Sequence, residues 1–407
     1  MVEILCAVVV SVILVLIFHL MNGGRNPPIF GIYQQRNKTF WFKYVLMYSY
    51  LKVRQLIVYL KHIILEDTTS AENGTMHVWK YQAKLEQLHD LGDFAKSVDG
   101  VYFNGMSEDG EAIVCGLARR PNRCCDAFIY LKIKDEDLLL TPSLPDTCLQ
   151  KSSDDGEGHS VQGISIKNFI PMRTWNISYN GEMKTKSNTK VQVSAELVWS
   201  ALWSPFEYDT QMSASCMAED ISREPWSRDY FKLLKKLHQT HYEQAGYISG
   251  NVRVNENSYN INMPCVRDRT FGQLREWRNF HRYVYHFIFL QNGDFIAVGT
   301  VSQPSVLSHL TIGYVCVKEN QSVTAISGSD FKLYQHGENQ VMPNDYGFVF
   351  QAGGESYAVR VEVTDEQTFY IGKDREAKFY ERWSGVQVNG VKGWACVEWH
   401  YNNTAQK

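Results

Sequence analysis

From about Phe94 onward the chain alternates short apolar runs with polar turns, the pattern of antiparallel strands. Val101–Met106, Ala112–Ala118 and Ala127–Ile133 are strand-like, parted by Ser107-Glu-Asp-Gly and Arg119-Arg-Pro-Asn. Gly163–Phe169, Thr174–Tyr179 and Val191–Trp199 follow. Ser227–Gln244 has helical spacing, with Ser227 placed as N-cap. Strands then return at Tyr247–Val254 and Tyr259–Cys265, a hairpin around Asn255–Ser258. Arg282–Leu290 and Phe295–Val301 flank Asn292-Gly293, a strong hairpin signal. Leu310–Lys318, Ser322–Ile326, Tyr346–Gln351, Tyr357–Val363, Thr368–Ile371, Lys378–Trp383 and Trp394–Tyr401 complete the series. Many short strands with few helices predict a mainly β protein built of antiparallel barrels or sandwiches.

The N-terminal pattern differs. Val2–Met21 is almost wholly apolar, and twenty helical residues span about 30 Å, the hydrocarbon thickness. No basic n-region precedes it and Phe18-His-Leu-Met is a poor cleavage site, so it reads as an uncleaved transmembrane anchor. Phe40–Leu65 is aromatic and apolar but carries Lys43, Lys52, Arg54 and Lys61. Those charges make a second span expensive, and a basic amphipathic helix in the headgroup region fits better. A helix packed on the globular part is the alternative. Met76–Leu91 predicts a further short helix. The resulting division is an anchor at 1–21, a basic juxtamembrane segment at 22–93, and β-rich units at 94–245 and 246–407.

Charge sets the topology. From Asn22 to Leu65 there are seven Lys/Arg and no acid, which places the flank and the following chain in the cytosol, with the endoplasmic reticulum as the expected membrane. Sequons at Asn37, Asn73, Asn176, Asn320 and Asn402 point the other way. A net charge of -3 gives no basic field for nucleic acid. The nine cysteines include no Cys-x-x-Cys pair and sit mostly in apolar runs, so free buried thiols are expected. His238-x-x-His241 lacks the glutamate of a zinc-protease helix, and the Ser152–His159 loop reads as solvated; no metal or cofactor is expected.

Candidate chemistry concentrates in Asn262–Trp277, where Arg267, Asp268, Arg269, Arg275 and Glu276 crowd beside probable core. In an extended chain Arg267 and Arg269 share one face, and Asp268 takes the other with Val266 and Thr270. A desolvated Asp268 would have a raised pKa and could donate a proton. In the last strand Trp394, Cys396, Glu398 and His400 share a face. Glu398 needs a partner if buried, and Arg267 or Arg269 are candidates. Two readings stay open: a structural Arg–Glu clasp, or a ligand or catalytic site.

Glu243-Gln-Ala-Gly-Tyr-Ile-Ser-Gly, Arg267-Asp-Arg-Thr-Phe-Gly-Gln-Leu-Arg and Gly393-Trp-Ala-Cys-Val-Glu-Trp together resemble the AttH/carotenoid-hydratase-like superfamily. The resemblance spans roughly Phe94–Tyr401 and implies two lipocalin-like barrels side by side. The chain also resembles the N-terminal region of animal phosphoenolpyruvate synthase-like proteins. It lacks a Gly-x-x-x-x-Gly-Lys-Ser/Thr loop, so that chemistry is not implied. The superfamily's usual His-Ser-Trp is Arg269-Thr270-Phe271 here, so histidine-dependent chemistry is not implied either. The expected function is a membrane-anchored protein that binds a hydrophobic small molecule or lipid. The alternatives are a hydratase, isomerase or cyclase using Asp268 as proton donor, and a non-catalytic scaffold.

Overall fold

The computed structural model describes residues 26–67 and 80–404, with Ser11 and Val15. Among the described residues no helix is long and apolar enough to cross a membrane. The anchor expected at Val2–Met21 lies outside them, Ser11 and Val15 apart.

The mainly β expectation holds. The first unit comprises β1 (Val98–Met106), β2 (Ala112–Arg119), β3 (Cys124–Lys132), β4 (Leu139–Leu140), β5 (Cys148–Gln150), β6 (His159–Val161), β7 (Ile164–Ile170), β8 (Thr174–Thr185), β9 (Lys190–Ala201), β10 (Phe206–Glu207), β11 (Thr240–Val254) and β12 (Asn257–Gly272). β9 pairs with both β8 and β11, so the hydrogen-bonded ladder returns to its start. The second unit is a closed barrel of β13 (Arg282–Leu290), β14 (Phe295–Gln303), β15 (Leu307–Val317), β16 (Ser322–Ser329), β17 (Asp345–Ala352), β18 (Glu355–Ile371), β19 (Ala377–Val388) and β20 (Val391–Asn402).

Burial along the strands locates the seam. β9 alternates, with Val193, Ala195, Leu197 and Trp199 inside and the intervening residues turned outward. β2, β3, β13 and β14 are buried almost end to end. Their second face packs against the other unit, in a shared core that joins Phe128 and Tyr130 to Phe369 and Trp383.

Three expectations change. The sequence places the hairpin β11–β12 in the second unit from residue 246, yet β12 pairs with β1 and β11 with β9, so it completes the first. Ser227 does cap a helix, accepting from the Tyr230 amide, but that helix is only Arg228–Lys236 and the chain is extended from Thr240. His159 is buried rather than solvated and contacts the Asp99 carbonyl at 3.1 Å. The eight described cysteines are free and mostly buried, as expected. The long helix Phe40–Asp67 packs one face on helix Ala214–Arg223.

Candidate functional site at the seam between the barrels

Strand β12 sends its side chains two ways, as alternation requires. Arg267 and Arg269 point into the first unit and are fully buried. Arg267 pairs with Glu86 at 2.8 Å and donates to Gln244 Oε1 at 2.8 Å, its guanidinium 5.0 Å from the Trp199 ring. Arg269 pairs with Asp99 and donates to the carbonyls of Gly100 and Gln87. Glu86 also accepts from Trp175 Nε1 and the Tyr242 hydroxyl. The arginines therefore fasten the short helix at 80–86 across the first unit. They do not clasp Glu398: Glu398 belongs to β20, on the seam side, and its contacts are made there.

Asp268 faces the seam. His241 Nε2 donates to its Oδ2 at 2.7 Å, and Thr270 Oγ1 donates to Oδ1 at 3.0 Å. Burial alone would raise its pKa, but the charge and hydrogen bond of His241 outweigh burial and hold the carboxyl below its usual range. Burial in turn disfavours the imidazolium, yet Asp268 and Glu243 push His241 up to about 10. Asp268 is thus an ionised carboxylate beside an imidazolium, not the raised acid expected of it. Glu243, directly across the ladder from Asp268, lies 3.4 Å from His241 and accepts from the Tyr285 hydroxyl.

The raised acid lies opposite, on the second barrel. Glu381 and Glu398 are direct cross-strand partners on β19 and β20. Burial and the Glu381 charge push Glu398 well above the carboxylate range, and burial pushes Glu381 up to about 7. Two adjoining buried carboxyls cannot both ionise, so the pair retains a proton. Tyr102 donates to Glu381 at 3.1 Å and Tyr283 to Glu398 at 3.2 Å.

Asp268 and Glu398 both line one cavity of about 140 Å³, with Tyr102, Tyr283, Arg275 and Phe379 among its walls. Arg275 stacks 4.4 Å over Trp277 and donates to Gln239 at 3.0 Å. His400 is buried in the adjoining aromatic nest, 5.0 Å from Tyr283, and burial holds it well below its usual pKa, hence neutral. Trp394 donates to the Met106 carbonyl and ties the units together. Ligand atoms of His241, Glu243 and Asp268 lie within 4.8 Å of one another, a spacing that could hold a cation. A cation bound there would have to displace the proton that Asp268 and Glu243 hold on His241. His238 pairs instead with Asp209 at 2.6 Å. Sequence reasoning missed His241, Glu243 and Glu381 as members of the site.

Residues 5–401 match a family of unknown function, DUF8627. The chain belongs to this family. Comparison with curated proteins returns no match. Among solved structures, a protein described as AttH from Nitrosomonas europaea is similar at 9% identity and TM-score 0.49, over 75% of this chain and 92% of that one. Kievitone hydratase from Nectria haematococca is similar at 11% identity and TM-score 0.48, over 79% and 95%. CghA is similar at 9% identity and TM-score 0.42, over 76% and 88%. Likeness at this level says nothing about chemistry; the residues of the seam must carry that.

Proposed function

We propose that the seam cavity takes a hydrophobic small molecule, one ring-sized part seated among the aromatic walls, and that Glu398 gives it a proton. The observation that carries this reading is a single cavity bounded by one carboxyl held protonated and another held ionised. Groups whose environments push their pKa values apart take the acid and base roles. At about 140 Å³ the cavity approaches the ~150 Å³ that admits benzene in an engineered apolar core. Protonation of a carbon–carbon double bond by Glu398 leaves a cationic carbon, stabilised by the Asp268 carboxylate and the ring faces. Water then adds to that carbon and gives its proton to Asp268, or the neighbouring C–H does so, which makes the reaction a hydration or an isomerisation. Arg275 offers a fixed positive end for an oxygen of the ligand.

An anchor at Val2–Met21 would set the cavity beside a bilayer in which such a ligand dissolves. The basic flank supports a cytosolic placement. A glycosidase-sensitive mobility shift at Asn176 or Asn320, both exposed, would overturn it.

Mass spectrometry of small molecules co-purifying with wild type, Glu398→Gln and Asp268→Asn tests the chemistry. Glu398→Gln should retain a compound that differs from the wild-type one by water or by double-bond position. The same compound in all three proteins reduces the site to a carrier, and no compound in any of them ends both readings.

A further inference from the structure

Among the described residues the helix Phe40–Asp67 packs one face and leaves large apolar side chains exposed on the other. Phe40, Met47 and Leu51 are buried, with Tyr44 and Tyr48 beside them, against Ala218 and Ile221 of the helix Ala214–Arg223. These positions follow helical spacing and form the inward stripe. Gln55 donates to the Met212 carbonyl at 3.0 Å and Lys43 to the Glu224 carbonyl at 2.6 Å, which fixes the rotation of the helix. The opposite face carries Phe42, Leu46, Val53, Leu56 and Ile57, with Val53 55% exposed, and Trp41, 64% exposed, stands at its edge against Phe40 and Tyr44. Large apolar side chains at such density on one exposed face are rare on soluble surfaces and mark an interaction site.

We propose that this outer face lies in the headgroup–acyl boundary of a lipid bilayer carrying anionic lipid. Two observations choose lipid over a protein partner. At helical spacing Lys52 falls on one flank of the face and Arg54 on the other, both exposed, with exposed Lys38 just ahead of the helix. No acid occurs between Asn22 and Leu65. An apolar face edged by basic side chains, with an aromatic residue at its end, is the composition of an interfacial helix. The chain preceding Asn26 contains the twenty-residue apolar stretch Val2–Met21, long enough as a helix to cross a bilayer. The docked helix lies close to the seam: its Leu51 and Arg54 share a small groove with Tyr208, whose ring stacks 4.3 Å from that of His241. The proposal does not depend on the acid–base reading of the cavity.

The test uses the full chain reconstituted into phosphatidylcholine vesicles, with and without phosphatidylserine, made with brominated acyl chains. Trp41 is the exposed tryptophan at the edge of the outer face, so wild type minus Trp41→Phe isolates its emission. Bromolipid should quench that difference signal, and more strongly with phosphatidylserine. Equal quenching of wild type and Trp41→Phe overturns the proposal. So does a Leu46→Glu/Val53→Glu/Leu56→Glu variant that turns an oligomer into a monomer while Trp41 stays unquenched, because a second copy would then cover the face.

Discussion

Asp268 and Glu398 are both carboxyls on strands beside the same cavity, and one neighbour apiece sets them apart. Asp268 has an imidazolium, Glu398 another carboxyl. Asp268→Asn should let His241 fall from about 10 toward the ordinary value near ~6.5, read by NMR titration of the ring. Stability shifts with it. A raised histidine contributes fully below its unfolded pKa and loses that contribution as pH rises through about 10. The depressed Asp268 contributes above its unfolded pKa and loses that contribution as pH falls through its lower folded value. Glu381 runs the other way: pushed up to about 7, it favours the fold in acid and costs stability as pH rises toward 7. Glu381→Gln should therefore flatten the fall in melting temperature between about pH 4.5 and 7. That Asp268 and the two arginines take opposite faces was legible from alternation alone, but which face turns inward was not: the arginines do. The Asp268 partner His241 was not legible either, because helical spacing carries the expected helix through to Gln244, whereas the chain is extended from Thr240. Counting back from a turn centred on Asn255-Glu256 would have set Glu243 opposite Asp268, as the ladder has it.

At the scale of elements, β12 serves two ends at once, and the two roles separate by mutation. Glu86 accepts from Arg267, Trp175 and Tyr242 in the interior of the first unit. Glu86→Ala leaves Arg267 uncompensated and should cost about 3–5 kcal/mol by denaturant unfolding, with the seam cavity intact. Glu86→Gln, which keeps most of the geometry, should cost less. The sequence pattern foretold the longer strands and the two faces of β12, because period-two alternation is local, but not the two- and three-residue strands β4, β5, β6 and β10. It could not foretell which unit the hairpin joins. That depends on close approach: a Cβ at Gly246 would stand 2.1 Å from the Ser200 carbonyl oxygen, so glycine there admits β9 alongside β11. Nor could it link Glu86 to Arg267, since the contact crosses most of the first unit in sequence.

At the scale of the molecule, the two units share a core rather than merely touch. Phe128 on β3 lies 4.4 Å from Phe369 on β18, and Tyr130 faces Trp383 on β19 at 6.3 Å. Polar ties reinforce this: Thr147 donates to the Tyr370 carbonyl at 2.8 Å, and Tyr102 to Glu381. An interface this apolar behaves like the interior of a single domain, so neither unit should unfold while the other stands. Phe369 is the residue to test it on, because it is buried in the shared core and also lines the cavity. Phe369→Ala should lower stability by about 3–5 kcal/mol through lost burial and the cavity it leaves. The calorimetric transition should remain single, shifted downward, with amide exchange in β8 and in β16 accelerated together. Two separated transitions, or faster exchange confined to the second barrel, would show the seam to be a weak contact. A cavity bounded by Asp268 on one unit and Glu398 on the other could then not keep its geometry, and the proposed proton transfer would lose its structural basis.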